Sequence, residues 1–160
     1  MRAVILGNSG SGKSTLAQRL ARSDGLAHLD LDTLAWEPRT PPVRRPLAES
    51  AREIEKFMEQ NDRWVIEGCY ADLLAAALPR CTRLVFLNPG VEACIANARG
   101  RPWEPHKYAS REVQDANLAM LIDWIRDYER RGDEFSLAAH RLLFDAFRGE
   151  TIEITHRHDS

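Results

Sequence analysis

Near the start of the chain, residues 7–14 read GNSGSGKS and satisfy the spacing G-x-x-x-x-G-K-[ST]. Glycines at 7, 10 and 12 permit backbone angles closed to other residues, so successive N–H groups can turn toward one anion. The apolar run before them and the helical pattern after them put this loop between a strand and a helix, whose N-terminus adds unpaired donors and the positive end of its dipole. Gly7, Asn8, Ser9, Gly10, Ser11, Gly12, Lys13, Ser14 and Thr15 are therefore the candidate cradle for a nucleoside triphosphate. Lys13 supplies a movable charge for the β- and γ-phosphates, and the Ser14 hydroxyl a ligand for Mg²⁺. The dinucleotide spacing GxGxxG is not met, because Thr15 stands where the third glycine belongs, which argues against NAD.

A second group of residues carries acid. Asp30 and Asp32 of HLDLDTL lie two apart at the end of a predicted strand and so point to one side, toward the phosphate rim if that strand runs parallel to the first. Paired carboxylates there have two tasks: one holds Mg²⁺ through water, the other accepts a proton from an acceptor hydroxyl or orients it. Two acids simply facing water at a strand end is the alternative.

Strands and helices must alternate to position these groups. Short apolar runs at Arg2–Leu6, Ala27–Leu31, Arg63–Glu67, Arg83–Asn88 and Glu150–Thr155 predict five strands, and Leu16, Ala17 and Leu20 mark one face of a helix over Lys13–Ser23. Strands of this kind joined by helices predict an α/β fold with a mainly parallel sheet covered on both faces. Two stretches rich in proline and basic residues, Trp36–Pro46 and Gly100–Ser110, read as loops overhanging the glycine-loop rim. Val113, Leu118, Leu121, Ile122, Ile125 and Tyr128, and then Phe135, Leu142, Leu143 and Phe147, recur at helical spacing and are assigned to core packing.

With 160 residues, a single domain over 1–160 is expected, with 44% hydrophobic and 29% charged residues as in ordinary globular chains. A formal charge of -2 speaks against broad nucleic-acid binding, and no apolar stretch reaches the length that spans a bilayer. Cys69, Cys81 and Cys94 lack metal-ligand spacing and fit free thiols in a reducing compartment, so the cytoplasm is the expected location. The chain is short for an AAA or ABC ATPase, has no LSGGQ, and lacks the Asn-Lys-x-Asp and Asp-x-x-Gly of regulatory GTPases.

Taken with the glycine loop, HLDLDTL, RWVIEGCY and RGRPWEPHKY, the chain resembles the shikimate kinase and adenylate kinase-like group of P-loop phosphotransferases. It is similar above all to bacterial proteins described as topology modulation proteins or adenylate kinase-related kinases, from the glycine loop to about Tyr108. The resemblance implies a three-layer P-loop fold with strand order 2-3-1-4-5, an acceptor-side insertion over about 35–60 and a short lid over about 99–110. It assigns Asp30 to the magnesium shell, Asp32 to the acceptor hydroxyl, Glu67 to the Walker B-like acid, Gly68 to the acceptor's approach, and Arg99 and Arg101 to a phosphate clamp. Guanidinium forks suit that clamp, although solvated surface arginines are the alternative. Tyr70 replaces part of the glycine turn of shikimate kinases and fills part of the pocket. Trp36 either walls the pocket or packs in the core, and Arg39, Arg44 and Arg45 either bind an anionic part of the acceptor or form a solvated face. ATP and Mg²⁺ are the expected cofactors, with a small hydroxyl-bearing metabolite as acceptor and partner. A nucleoside or nucleotide kinase, and an ATP-binding regulatory or nucleic-acid-associated module, are the alternatives.

Overall fold

In the computed structural model, which describes residues 1–39 and 41–156, the chain forms one five-stranded sheet. The strands are β1 (Arg2–Gly7), β2 (Ala27–Asp30), β3 (Trp64–Gly68), β4 (Arg83–Leu87) and β5 (Glu150–Ile154). Their order is β2-β3-β1-β4-β5 and every pairing is parallel, so the sheet is wholly rather than mainly parallel. The helices are α1 (Lys13–Asp24), α2 (Leu47–Gln60), α3 (Ala71–Ala77), α4 (Val91–Arg99), α5 (Arg111–Arg126) and α6 (Leu137–Ala146).

β1 is central, flanked by β3 and β4, and alternate side chains serve opposite layers. Val4 and Leu6 pack with Ile54, Leu73, Leu74 and Phe86 under α2, α3 and α6, whereas Ala3 and Ile5 pack with Leu16 and Ala17 of α1. Because the strands are parallel, their C-terminal ends meet on one rim, which places Gly7, Asp30 and Glu67 side by side there. A third cluster, Cys94, Ile95, Ala98, Ile122 and Ile125, joins α4 to α5 and so supports the lid between them. Ser110 and Ser136 cap α5 and α6 by accepting from the N–H groups of Val113 and Ala139.

Two residues assigned to the core are on the surface. Val113 is exposed because the inward face of α5 begins at Leu118, and Leu142 because it lies two residues from the buried His140, nearly opposite it on α6. The stretch Trp36–Pro46 is also more ordered than a plain loop. Trp36 and Arg44 form an antiparallel bridge, and Arg45 N–H donates to the Ala35 carbonyl at 2.9 Å. Among the described residues no helix is long and apolar enough to cross a membrane.

Candidate functional site: a phosphate loop facing a clustered acid rim

The glycine loop leaves β1 at Gly7 and enters α1 at Lys13. Gly10, at φ 80°, sits so close to α4 that a Cβ would lie 2.4 Å from the Cys94 carbonyl oxygen, so only glycine fits. Gly12, at φ 99°, is the N-cap of α1 and offers no side-chain acceptor. The first-turn N–H groups of α1 are thus left without a side-chain cap, in the geometry that receives phosphate oxygens. Lys13 is folded back over the loop, its Nζ donating to the Asn8 carbonyl at 2.7 Å.

The loop is braced from outside. The buried Asn8 donates through Nδ2 to the Ile125 carbonyl at 3.3 Å, and Asn97 of α4 donates to the Gly10 carbonyl at 2.8 Å. Asn8 and Ser11 therefore enter the candidate cradle by backbone alone, since both side chains are buried, whereas Ser9, Lys13, Ser14 and Thr15 keep theirs accessible. Asn97→Ala should weaken ATP binding about fivefold, the worth of one neutral hydrogen bond, read by isothermal titration.

On the acid rim Glu67 is buried, and one of its oxygens accepts from both Ser14 Oγ at 2.7 Å and His28 Nε2 at 2.9 Å. Asp30 is its register partner on β2. Burial, then the charges of Glu67 and Asp32, push the Asp30 carboxyl up to about 6. The Ser14 hydroxyl and the two carboxylates are hard oxygen donors of the kind Mg²⁺ takes. No three His, Cys, Asp or Glu side chains converge as a metal cage among the described residues.

Asp32 departs from the expected strand geometry. β2 ends at Asp30, which caps a 3₁₀ turn over Leu31–Thr33 by accepting from the Asp32 N–H at 2.9 Å. The turn forms because a free Asp side chain competes for backbone donors at a strand end. Asp32 Oδ1 accepts from the Tyr70 hydroxyl at 2.5 Å, and Oδ2 lies 2.9 Å from Lys107 Nζ. Burial pushes this carboxyl up, but Lys107, the Tyr70 hydroxyl and Lys13 outweigh it and hold it below the usual range. The same carboxylate holds the Lys107 ammonium above its ordinary value against burial.

Trp36 Nε1 donates to the Tyr70 hydroxyl at 2.8 Å, so the half-exposed indole joins the wall that presents Asp32. Gly68 has a packing reason of its own to be glycine. A side chain there would strike Leu31, 2.9 Å away, so the glycine makes room for core packing. Arg39 is exposed, and its backbone N–H donates to Glu37. Arg44 pairs with Asp72 and Glu134 and lies 4.9 Å over the Tyr70 ring, while Arg45 donates to the Leu34 carbonyl and approaches Glu49. In the lid, Arg99 occupies the last turn of α4, exposed, and Arg101 pairs with Glu104 at 3.4 Å, so neither touches the acid rim.

The sequence reading gave no role to His28, Asn97 or Lys107. His28 lies two residues before Asp30 on the same strand face, a periodicity that applied equally to it. Asn97 and Lys107 act across long sequence separations that spacing does not reveal.

Among solved structures, a sugar kinase from Janibacter sp. HTCC2649 superposes with a TM-score of 0.55 at 18% identity, over 98% of this chain and 86% of that one. A gluconokinase from Sinorhizobium meliloti 1021 gives 0.56 at 16% identity, over 96% and 82%. These likenesses establish a shared fold. The uncharacterized protein YqaC of Bacillus subtilis (strain 168) is 34% identical over 64 residues, 40% of this chain and 35% of that protein, so the match spans about a third of its length. A family profile described as an AAA domain matches residues 4–119, which takes in the glycine loop, the acid rim and the lid. Shortness is thus no bar to that description, and the chain belongs to the AAA domain family (AAA_18).

Proposed function

We propose that the protein is an ATP- and Mg²⁺-dependent phosphotransferase whose acceptor is a small hydroxyl-bearing metabolite. The observation that carries this reading is Asp32: a carboxylate held by Tyr70 and Lys107, close enough to Lys13 to feel its charge. An acceptor arriving there meets a group that takes a hydroxyl proton. The nearby Arg44 and Arg45 are already engaged with Asp72, Glu134, Glu49 and Leu34, which disfavours an acceptor that arrives as a phosphate. The sugar kinase and gluconokinase that share the fold are named for substrates of the polyhydroxy kind.

In this reading the backbone N–H groups from Gly7 to Thr15 and the N-terminus of α1 hold the triphosphate, and Lys13 leaves the Asn8 carbonyl for the phosphate oxygens. Ser14, Asp30 and Glu67 would hold Mg²⁺, which would neutralise charge developing on the phosphates. Asp32 accepts the acceptor's hydroxyl proton as that oxygen bonds to the γ-phosphorus and the bond to the bridging oxygen of ADP breaks. Arg99 and Arg101 reach the equatorial oxygens by side-chain movement within the lid, which releases Arg101 from Glu104. The three free cysteines fit a cytoplasmic location.

The test is ATP turnover with Mg²⁺ in the presence of glycerol, D-ribose, D-gluconate, D-glucose or nucleoside monophosphates, with phosphorylated product followed by ³¹P NMR. Turnover raised by one of the hydroxyl acceptors, with a phosphate ester formed, supports the proposal. Turnover raised by a nucleoside monophosphate alone, or by none, defeats it.

A further inference from the structure

The lid's Lys107 holds Asp32 but takes no step in the transfer described above. Its ammonium lies 2.9 Å from Asp32 Oδ2, 75 residues away in sequence, while Oδ1 takes the Tyr70 hydroxyl. Among the described residues this is the one ion pair joining residues 100–110 to the acceptor side. The loop that carries it is braced. Glu104 N–H donates to Gln114 Oε1 at 2.8 Å, Gln114 Nε2 to the Pro102 carbonyl at 3.1 Å, and Trp103 Nε1 to the Tyr108 carbonyl at 3.0 Å. Glu104 Oε2, 3.5 Å from the ammonium, flanks it within the lid.

Resting on the reading of Asp32 as the group that receives the acceptor's proton, we propose that Lys107 is a positioning residue: lid closure sets its ammonium on Asp32 and, jointly with Tyr70, aims that carboxylate at the acceptor hydroxyl. A carboxylate has about four lone-pair directions, so one donor on each oxygen leaves one direction per oxygen for the acceptor. Tyr70 is itself fixed, by the Trp36 indole N–H at 2.8 Å and by the Arg44 guanidinium over its ring. One side of the carboxylate is therefore held by the core and the other by the lid. With the lid raised, the Asp32 side chain keeps one anchor and regains rotation, so the acceptor site is complete only when the lid is down. Arg99 and Arg101 make no such link to Asp32.

Hydrogen exchange and acceptor kinetics on the full chain test this together. Lys107→Met and Asp32→Asn should each speed amide exchange across residues 100–110 about fivefold, as expected for losing a partly exposed, charge-assisted hydrogen bond. The double variant should add nothing further. Lid exchange unchanged in Asp32→Asn overturns the proposal. For whichever of glycerol, D-ribose, D-gluconate and D-glucose the wild type phosphorylates, Lys107→Met should raise the acceptor KM about tenfold relative to the KM for ATP, with Lys107→Arg recovering most of it. Equal changes in both KM values, or none, overturn it. Coupled lid exchange in a protein that phosphorylates none of the four supports the link between Lys107 and Asp32 and defeats only the reading of the acceptor.

Discussion

Asp32→Asn should lower acceptor-dependent turnover by about 10²-fold or more, the range over which a positioned general base acts. The substitution keeps the size of the side chain and one oxygen for Tyr70, but it removes the proton-accepting charge and turns an N–H₂ toward the Lys107 ammonium. Lys107 and Tyr70 hold the native carboxyl below its ordinary range, so at neutral pH it is ionised before an acceptor arrives. ATP affinity should change far less than turnover, because the glycine loop, Lys13 and the contact between Ser14 and Glu67 are untouched. Turnover with the acceptor chosen by the panel, set beside ATP titration of the same variant, separates the two effects. Equal turnover in variant and wild type would remove Asp32 from the chemistry.

Strong local rules made much of this arrangement legible in advance. The phosphate loop is announced by its glycine spacing because a backbone that wraps an anion, with α4 at its back, tolerates no other residue at Gly10. The five strands are visible because a parallel sheet buried on both faces needs unbroken apolar runs, and each falls within a residue of its expected bounds. The acid rim was legible in composition but not in geometry. Alternation put Asp30 and Asp32 on one strand face, whereas side-chain capping by Asp30 ended the strand and turned Asp32 toward Tyr70 and Lys107. Gly68 illustrates a second limit. A glycine at a strand end signals close approach, yet the sequence does not say whether a ligand or a neighbouring Leu31 makes it. The fate of the insertion arginines depended likewise on Asp72, Glu134 and Glu49, whose proximity only the tertiary fold creates.

Acid should weaken the fold through His140, and its removal should abolish that share of the weakening. His140 is fully buried. Its Nε2 lies 2.7 Å from the Cys69 carbonyl, which can only accept, so Nε2 carries the proton and Nδ1 accepts from the Tyr128 hydroxyl at 2.7 Å. This neutral tautomer is satisfied at both nitrogens, and a second proton would be buried as a charge. Burial, with the charges of Lys13 and Arg131 behind it, pushes the imidazole down from 6.5 to about 4, against the Cys69 carbonyl and Asp133. Unfolded chains bind the proton near 6.5, so the contribution is fully present above that value and fades as pH falls toward 4. The difference is worth about 3 kcal/mol, a large fraction of a typical domain's stability. Asp30, raised to about 6, acts in the opposite sense over an overlapping window, since its protonated form is the one the fold prefers. Comparing wild type with His140→Leu cancels that opposing effect. Urea midpoints measured between pH 7 and 4.5 should fall more steeply in the wild type than in the variant, whose overall stability is lower because Tyr128 and the Cys69 carbonyl lose their partner. Parallel slopes would show that His140 is not held neutral. The second proton goes to Nδ1, so protonation costs the bond accepted from the Tyr128 hydroxyl, while Nε2 keeps donating to the carbonyl of Cys69, the residue before Tyr70: the acid effect is one of stability and leaves the core-side anchor of Asp32 in place.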